Sequence, residues 1–285
     1  MVTKLKHSIR KANIRDQQQL ANLIHFETLV HRHLDWRPPL EWIGYDPYLV
    51  LEEDRRIIAT LACPPDPPTV AWLRLFAVTN KVDLAEAWSL LWMQSLEMLR
   101  KIPDIRIAAI PLQSWFQRLL QISGFESITN VVMLVWDSGS IPPSISIPGI
   151  SIRPMNMDDL SIVESLDESA FGPLWHNSKA SLEYAYRQAA FATIAENEGK
   201  IVAYQISTSM QLGGHLARLA THPDFQHRGI GSLLLRDLLM QFKKRGALRI
   251  TVNTQEDNYA SIALYERAGF SRTGETYPVF QYIPE

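Results

Sequence analysis

Residues 219–235, LATHPDFQHRGIGSLLL, decide the fold. The stretch passes from the apolar end of a strand, closing at Thr221, through a short polar loop into the helix that begins near Gly231. That helix is the clearest element in the chain: Leu234, Leu235, Leu238, Leu239 and Phe242 recur at three- and four-residue spacings that line one face. Gly246 supplies its left-handed stop, and the basic run Lys243-Lys244-Arg245 just before it suits the negative end of a helix dipole. Gly229 and Gly231 remove the β-carbons that would hold a bulky anion away from the backbone, so the amides of His227 to Gly231 can turn inward together. The unpaired N–H groups of the helix start point at the same place, which is how a protein holds a pyrophosphate without a metal. No Lys-Ser/Thr pair follows the second glycine, and the third glycine of a dinucleotide fingerprint is missing, so the loop is neither of those nucleotide motifs.

One strand further on, residues 258–270 read NYASIALYERAGF, a helix opened by Asn258 and closed at Gly269. Tyr265 stands seven residues, about two turns, past Asn258 on the same face. The pair of motifs, QHRGIG after a strand and N-x-x-A-x-x-L-Y-E-R-A-G-F after the next, resembles the GCN5-related N-acetyltransferase (GNAT) superfamily, whose signature is Gln/Arg-x-x-Gly-x-Gly/Ala; the likeness runs from Ile150 to the C-terminus.

The resemblance implies an α/β fold with a mixed (α+β) sheet, splayed at one point so that the pantetheine arm of acetyl-CoA lies there like an added strand. It implies a cofactor-binding set of Leu219, Ala220 and Thr221 for the arm, Gln226, His227, Arg228, Gly229, Ile230, Gly231 and Ser232 for the pyrophosphate, and Asn258 for the arm again. Tyr265 would protonate the departing thiolate. A phenol near pKa 10 and a thiol near 8.5 make that transfer close to balanced. No covalent enzyme intermediate and no metal are needed, because a neutral amine attacks a thioester directly once both are aligned. The acceptor is expected to be a small-molecule amine or a peptide or protein N-terminus. Phe171 and Trp175, between the first two helices of this half, and Tyr277 near the end are expected to flank it.

The chain is written twice. Ile9-Arg10, followed by Asn13 and Asp16, returns 143 residues later as Ile152-Arg153 with Asn156 and Asp159. LEEDRRIIAT from Leu51 parallels AENEGKIVAY from Ala195, each two apolar runs around a polar turn; Leu73-Arg74-Leu75 parallels Ala217-Arg218-Leu219; Gly124-Phe125 parallels Gly269-Phe270. The Ser/Pro-rich segment DSGSIPPSISIPG separates the copies as an exposed connector. The expected organisation is therefore 1–136, a linker at 137–149, and 150–285. In the second copy, strand Ile150 to Pro154, helix Asp158 to Ser169, a helix near Ser178 to Ala190, a hairpin, strand His215 to Thr221, the long helix, strand Leu248 to Asn253 and the last helix alternate as in an α/β layer structure.

The first copy has lost the site. Where the phosphate loop should fall it reads Val82 to Ala87, VDLAEA, without glycine and with Asp83 and Glu86, carboxylates that repel a pyrophosphate; Leu120 replaces Tyr265. Trp88, Leu91, Trp92 and Ser95 repeat at helical spacing and are read as packing, or as an aromatic surface shaping the acceptor pocket. The second copy lacks one expected part: Asn253 stands where some relatives carry a Glu base. Glu256, Asp257, His215 and His222 are the alternatives nearby. A non-catalytic acyl-CoA-binding or sensor protein is the rival reading.

The net charge of −2 over 285 residues carries no nucleic-acid footprint. The single cysteine, Cys63, forms no internal disulfide, no zinc-type spacing accompanies it, and no stretch approaches the apolar length of a membrane span. A cytoplasmic monomer or homodimer is expected, without membrane or nucleic-acid partners.

Overall fold

The structure, a computed structural model, describes residues 7–137, 139–144, 146–211 and 213–284. Parts of the expected linker, at 138 and 145, and the first six residues lie outside the described residues. The chain forms two compact units, Met1–Ile128 with Pro278–Glu285, and Thr129–Tyr277. The divide expected between 136 and 150 therefore shifts.

In the first unit, β1 (Ser8–Lys11), α1 (Gln17–Phe26), β2 (Leu29–Arg32), β3 (Tyr48–Glu53), β4 (Arg56–Ala62), β5 (Val70–Trp72), β6 (Leu75–Val78), α2 (Leu84–Leu99), β7 (Arg106–Ala109) and α3 (Ser114–Ile122) follow in order. Five strands run β1-β3-β4-β6-β2, and β5 pairs in parallel with β7. Trp88, Leu91 and Trp92 of α2 are buried with Phe76, Phe116 and Leu120 in one apolar cluster. The α2 stripe is thus core of its own unit, the packing alternative. Cys63 is fully buried, and that burial pushes its thiol up to about 12, far from a nucleophile.

From β8 (Glu126–Asp137) the chain continues through β9 (Ile150–Pro154), α4 (Leu160–Ala170), α5 (Lys179–Arg187), β10 (Phe191–Asn197), β11 (Lys200–Met210), β12 (Gly213–Thr221), α6 (Ile230–Lys244), β13 (Arg249–Gln255), α7 (Tyr259–Arg267) and β14 (Ser271–Tyr282). The second unit runs β14-β8-β13-β12-β11-β10-β9. Residues 131–137 of β8 pair with β13, whereas Phe280 to Tyr282 of β14 pair with β7. That exchange is why residues before 137 count with the second unit and the C-terminal residues with the first. The second helix stops at Arg187 rather than running on, because the Ala190 amide already donates to Ser207 O at 2.7 Å as the sheet begins.

α6 covers one face, its Leu235, Leu238, Leu239 and Phe242 meeting Leu216, Ile250 and Val252. On the other face Asp167 of α4 reaches Tyr204 of β11 and Arg218 of β12. Gly213 and Gly214 allow this closeness: a β-carbon at Gly213 would fall 1.8 Å from the Arg249 carbonyl oxygen, and one at Gly214 would fall 2.2 Å from the Phe242 ring.

The duplication recurs atom by atom. Arg10 grips Asp16 with two bonds of 2.7 Å, and Arg153 grips Asp159 at 2.8 and 2.9 Å, each beside a capping box from Asn13 or Asn156. Both hairpins turn through two left-handed residues, Asp54-Arg55 and Glu198-Gly199. Phe125 N donates to Leu120 O at 3.1 Å and Phe270 N to Tyr265 O at 3.0 Å, each across a left-handed glycine, so Leu120 and Tyr265 hold the same helical place.

Candidate functional site

The site grows from a parting of strands. β12 pairs in parallel with β13 only over Gly213–Leu216 against Arg249–Val252. Its register with β11 then slips, Ile206 facing Arg218 and Ser207 facing Leu216, which leaves Ala217 as the extra residue of a β-bulge. Past the bulge β12 stays bonded to β11 while β13 continues along β8. The β12 edge over Leu219–Thr221 therefore faces a wedge-shaped gap, offering backbone donors and acceptors to an extended ligand.

At the wide end the chain enters the loop. His222 caps a short turn by accepting from Asp224 N at 3.3 Å, and the Gln226 side chain donates back to the Thr221 carbonyl at 3.1 Å. His227 and Gly229 are left-handed, at φ 60° and 82°, on either side of Arg228. Alternation of this kind turns successive amides to one side, an anion-binding concavity. The first bond of α6 is Leu233 N to Gly229 O at 3.0 Å, so the amides of Ile230, Gly231 and Ser232 lie in the first turn, where no intrahelical acceptor precedes them. Ile230 is buried against Val202 and Ala203 and fixes the helix start to the sheet. The two glycines differ: Gly229 is required by its backbone, while a β-carbon at Gly231 would make ordinary contacts, 3.4 Å from Leu264 and 3.9 Å from Thr221. Ile147, in the expected linker, stands 3.5 Å from where a Gly229 β-carbon would be, and Pro142 O accepts from Arg236 at 3.0 Å. That segment is a wall of the loop, not a free connector.

Tyr265 is buried on α7 beside Phe270. Burial lifts its phenol above the ordinary value, and the nearby Arg218 guanidinium pulls the other way. The hydroxyl keeps its proton at neutral pH. Asn258 is the N-cap of α7, accepting from Ser261 N at 3.1 Å.

Arg218 was not expected to matter. It donates to both oxygens of the fully buried Asp167 at 2.8 Å and to the Trp175 carbonyl at 2.7 Å, and it lies 3.5 Å from the Phe171 ring centre. Asp167 also accepts from Tyr204 Oη and from Asn177 N. Phe171 and Trp175 are thus brought together and fastened to the bulge of β12; the Tyr277 hydroxyl, on β14, donates to Glu275 at 3.4 Å. The repeat carried the signal: Arg74, the counterpart of Arg218, is likewise buried, bonded to Asp35 at 2.7 Å and 4.6 Å from the Trp42 ring centre.

The groups considered as bases are engaged. His215 Nδ1 bonds Thr251 Oγ1 at 2.9 Å, and burial holds its imidazole below the usual range. His222 is the cap already described. Glu256 accepts from Asn130 at 2.8 Å and Asp257 from Thr129 at 3.5 Å. Asn253, the first β13 residue beyond the pairing with β12, has a buried Oδ1 without a hydrogen-bond partner among the described residues. An orphaned buried acceptor costs about 1–3 kcal/mol, so its persistence at a parting of strands points to a missing donor.

In the first unit, the equivalent places are filled. β2 pairs antiparallel with β6, Leu29 to Arg32 against Val78 to Leu75, along the edge that β12 leaves open. Asp83 caps α2 through bonds of 2.9 and 3.0 Å to Ala85 N and Glu86 N, a carboxylate where the second unit has its loop amides.

Comparison with known proteins agrees with this geometry. Residues 160–270 match the family model described as the acetyltransferase (GNAT) family. The chain is similar to the ribosomal protein bS18-alanine N-acetyltransferase of Escherichia coli (strain K12), 26% identical over 122 residues that span 39% of this chain and 82% of that protein. Among solved structures, the GCN5-related N-acetyltransferase from Sphaerobacter thermophilus superposes with a TM-score of 0.61 at 16% identity, covering 98% of this chain and 96% of that one. A tandem GNAT protein from the clavulanic acid biosynthesis pathway gives 0.63 at 16%, covering 99% and 100%.

Proposed function

We propose that the second unit, in which residues 160–270 match the acetyltransferase (GNAT) family model, moves an acetyl group from acetyl-CoA to a primary amine. The observation that carries this is the parting of β12 from β13 beyond Leu216, ending on a loop with alternating left-handed residues at a helix start.

Acetyl-CoA supplies an activated thioester carbonyl. The amides of His227 to Ser232 hold its pyrophosphate, with Gln226 and Arg228 beside them, and the Leu219–Thr221 edge of β12 hydrogen-bonds the extended arm. Tyr265, neutral through burial, holds a proton for the departing sulfur. A thiolate formed in that apolar surrounding is itself raised above its pKa in water, so the two groups remain close in proton affinity even though the phenol has risen. Phe171 and Trp175, held by Arg218, flank the acceptor. The first unit binds no CoA, because its own strand β2 and the carboxylate of Asp83 take the places of arm and phosphate. The chain acts as a soluble cytoplasmic enzyme on small amines or peptide N-termini.

The test is CoA release from acetyl-CoA in the presence of an amine panel, together with calorimetry on CoA. The Tyr265→Phe variant is expected to bind CoA within about twofold of the parent and to turn over on the order of 10²-fold more slowly. Equal loss of binding and turnover would make Tyr265 a packing residue; binding with no turnover for any amine would make the protein an acyl-CoA sensor.

A further inference from the structure

Resting on the acetyl-transfer reading above, we infer that the acceptor is a weakly basic primary amine that enters the site already neutral, of the α-amino class rather than the alkylamine class of lysine, and that Asn253 sets this preference. The position is defined by the strands. Ile250 and Val252 of β13 point into the α6 core, so Thr251 and Asn253 lie on the opposite face, where Thr251 holds His215 and where Arg218 and Asp167 fasten the Phe171–Asn177 segment. Asn253 follows the last residue paired with β12, at the apex of the gap. Its buried carbonyl oxygen, free of partners among the described residues, can accept a hydrogen bond from an incoming N–H. An amide can orient an amine but cannot take its proton.

The other groups around this place are committed. Asp167 is spent on Arg218, Tyr204 and Asn177; His215 is fixed to Thr251; Glu256 and Asp257 bond Asn130 and Thr129 of β8; and Tyr265 is a proton donor. His176, next to the Asn177 whose amide bonds Asp167, has a buried Nδ1 with no hydrogen-bond partner among the described residues and is the rival base.

The chemistry then balances without an enzymic base. The lone pair of the neutral amine forms the C–N bond and the C–S bond breaks. The sulfur leaves with its electron pair and takes the Tyr265 proton. The nitrogen, positively charged after attack and strongly acidic, gives its proton to water or back to Tyr265. Selection follows from the neutral fraction alone: at pH 7 an α-amine of pKa about 7.7–8.0 offers roughly 230–420 times more neutral form than a lysine-type amine near 10.4.

The experiment measures kcat/KM for CoA release between pH 6 and 9 with glycinamide and with ethylamine, amines of similar size and opposite basicity. Glycinamide is expected to be favoured more than tenfold at pH 7, each profile rising tenfold per pH unit toward the pKa of its own amine. Asn253→Glu, with its CoA affinity and thermal midpoint checked against the parent, is expected to narrow the gap at least tenfold and to add an inflection. Equal rates for the two amines would overturn the inference, as would an inflection common to both that His176→Gln removes; CoA binding with release by neither amine would favour the sensor reading and overturn the acetyl-transfer reading beneath the inference. Failure to bind CoA at all would overturn that reading too.

Discussion

Arg218 and Asp167 tie the strand that would carry the acyl donor to the segment that would carry the acceptor. Asp167 is fully buried and Arg218 half-buried, and the carboxylate accepts four hydrogen bonds, two from the Arg218 fork and one each from Tyr204 and Asn177. Removing one partner strands the other charge, so Arg218→Met should destabilise the protein by about 3–5 kcal/mol, seen as a lower midpoint in urea. A loss below 1 kcal/mol would mean that solvent reaches the pair. Arg74 with Asp35 repeats the device in a unit with no phosphate loop, which separates it from phosphate binding and gives it to loop anchoring. The repeat marks Arg218 through its counterpart Arg74, but its partner Asp167 lies 51 positions away and outside any motif, so the pairing itself is not legible in the sequence.

At the scale of elements, what is local was legible. The α6 stripe, the Gly229 turn, the Asn258 cap and both hairpins follow from spacings of a few residues and from conformations that only particular side chains adopt. Strand partnership is different. Nothing within Leu29 to Arg32 says that it will pair with β6, and nothing within Glu126 to Asp137 says that its far end will pair with β13. Such pairings are decided by long-range burial. β2 also carries a titration into the first unit: His31 is buried against Phe116 with Nε2 at 3.0 Å from Leu73 O, and burial holds its imidazole down at about 4. Below pH 6.5 the unfolded chain binds a proton that folded His31 refuses, so stability is complete above pH 6.5 and is lost as pH falls toward 4. Half-buried His33, whose imidazole is also held below its usual range by desolvation, acts in the same direction. The His31 share amounts to about 3 kcal/mol across that window, and His31→Gln should flatten the dependence in urea titrations at pH 7 and pH 4.5. An unchanged slope would place the acid sensitivity elsewhere.

For the whole molecule, duplication followed by exchange of terminal strands alters where the chain can be cut. A fragment of 150–285 strips β8 from β13 and keeps a tail, Pro278 to Glu285, that belongs to the other unit. A fragment of 129–277 retains the β8–β13 pairing. The shorter one is expected to aggregate on expression and the second to stay soluble with cooperative unfolding; the reverse would contradict the unit boundaries. One copy leaves the β12 edge open beyond Leu216 and ends it on a loop with left-handed His227 and Gly229, while the other has its own strand along that edge and its own carboxylate at the helix start. Isothermal titration of CoA into the full chain tests this most directly. One site per chain is expected, unaffected by Asp83→Ala and abolished by Gly229→Val, whose side chain resists the left-handed backbone at that position. Two sites per chain, or a single site that survives Gly229→Val, would contradict it.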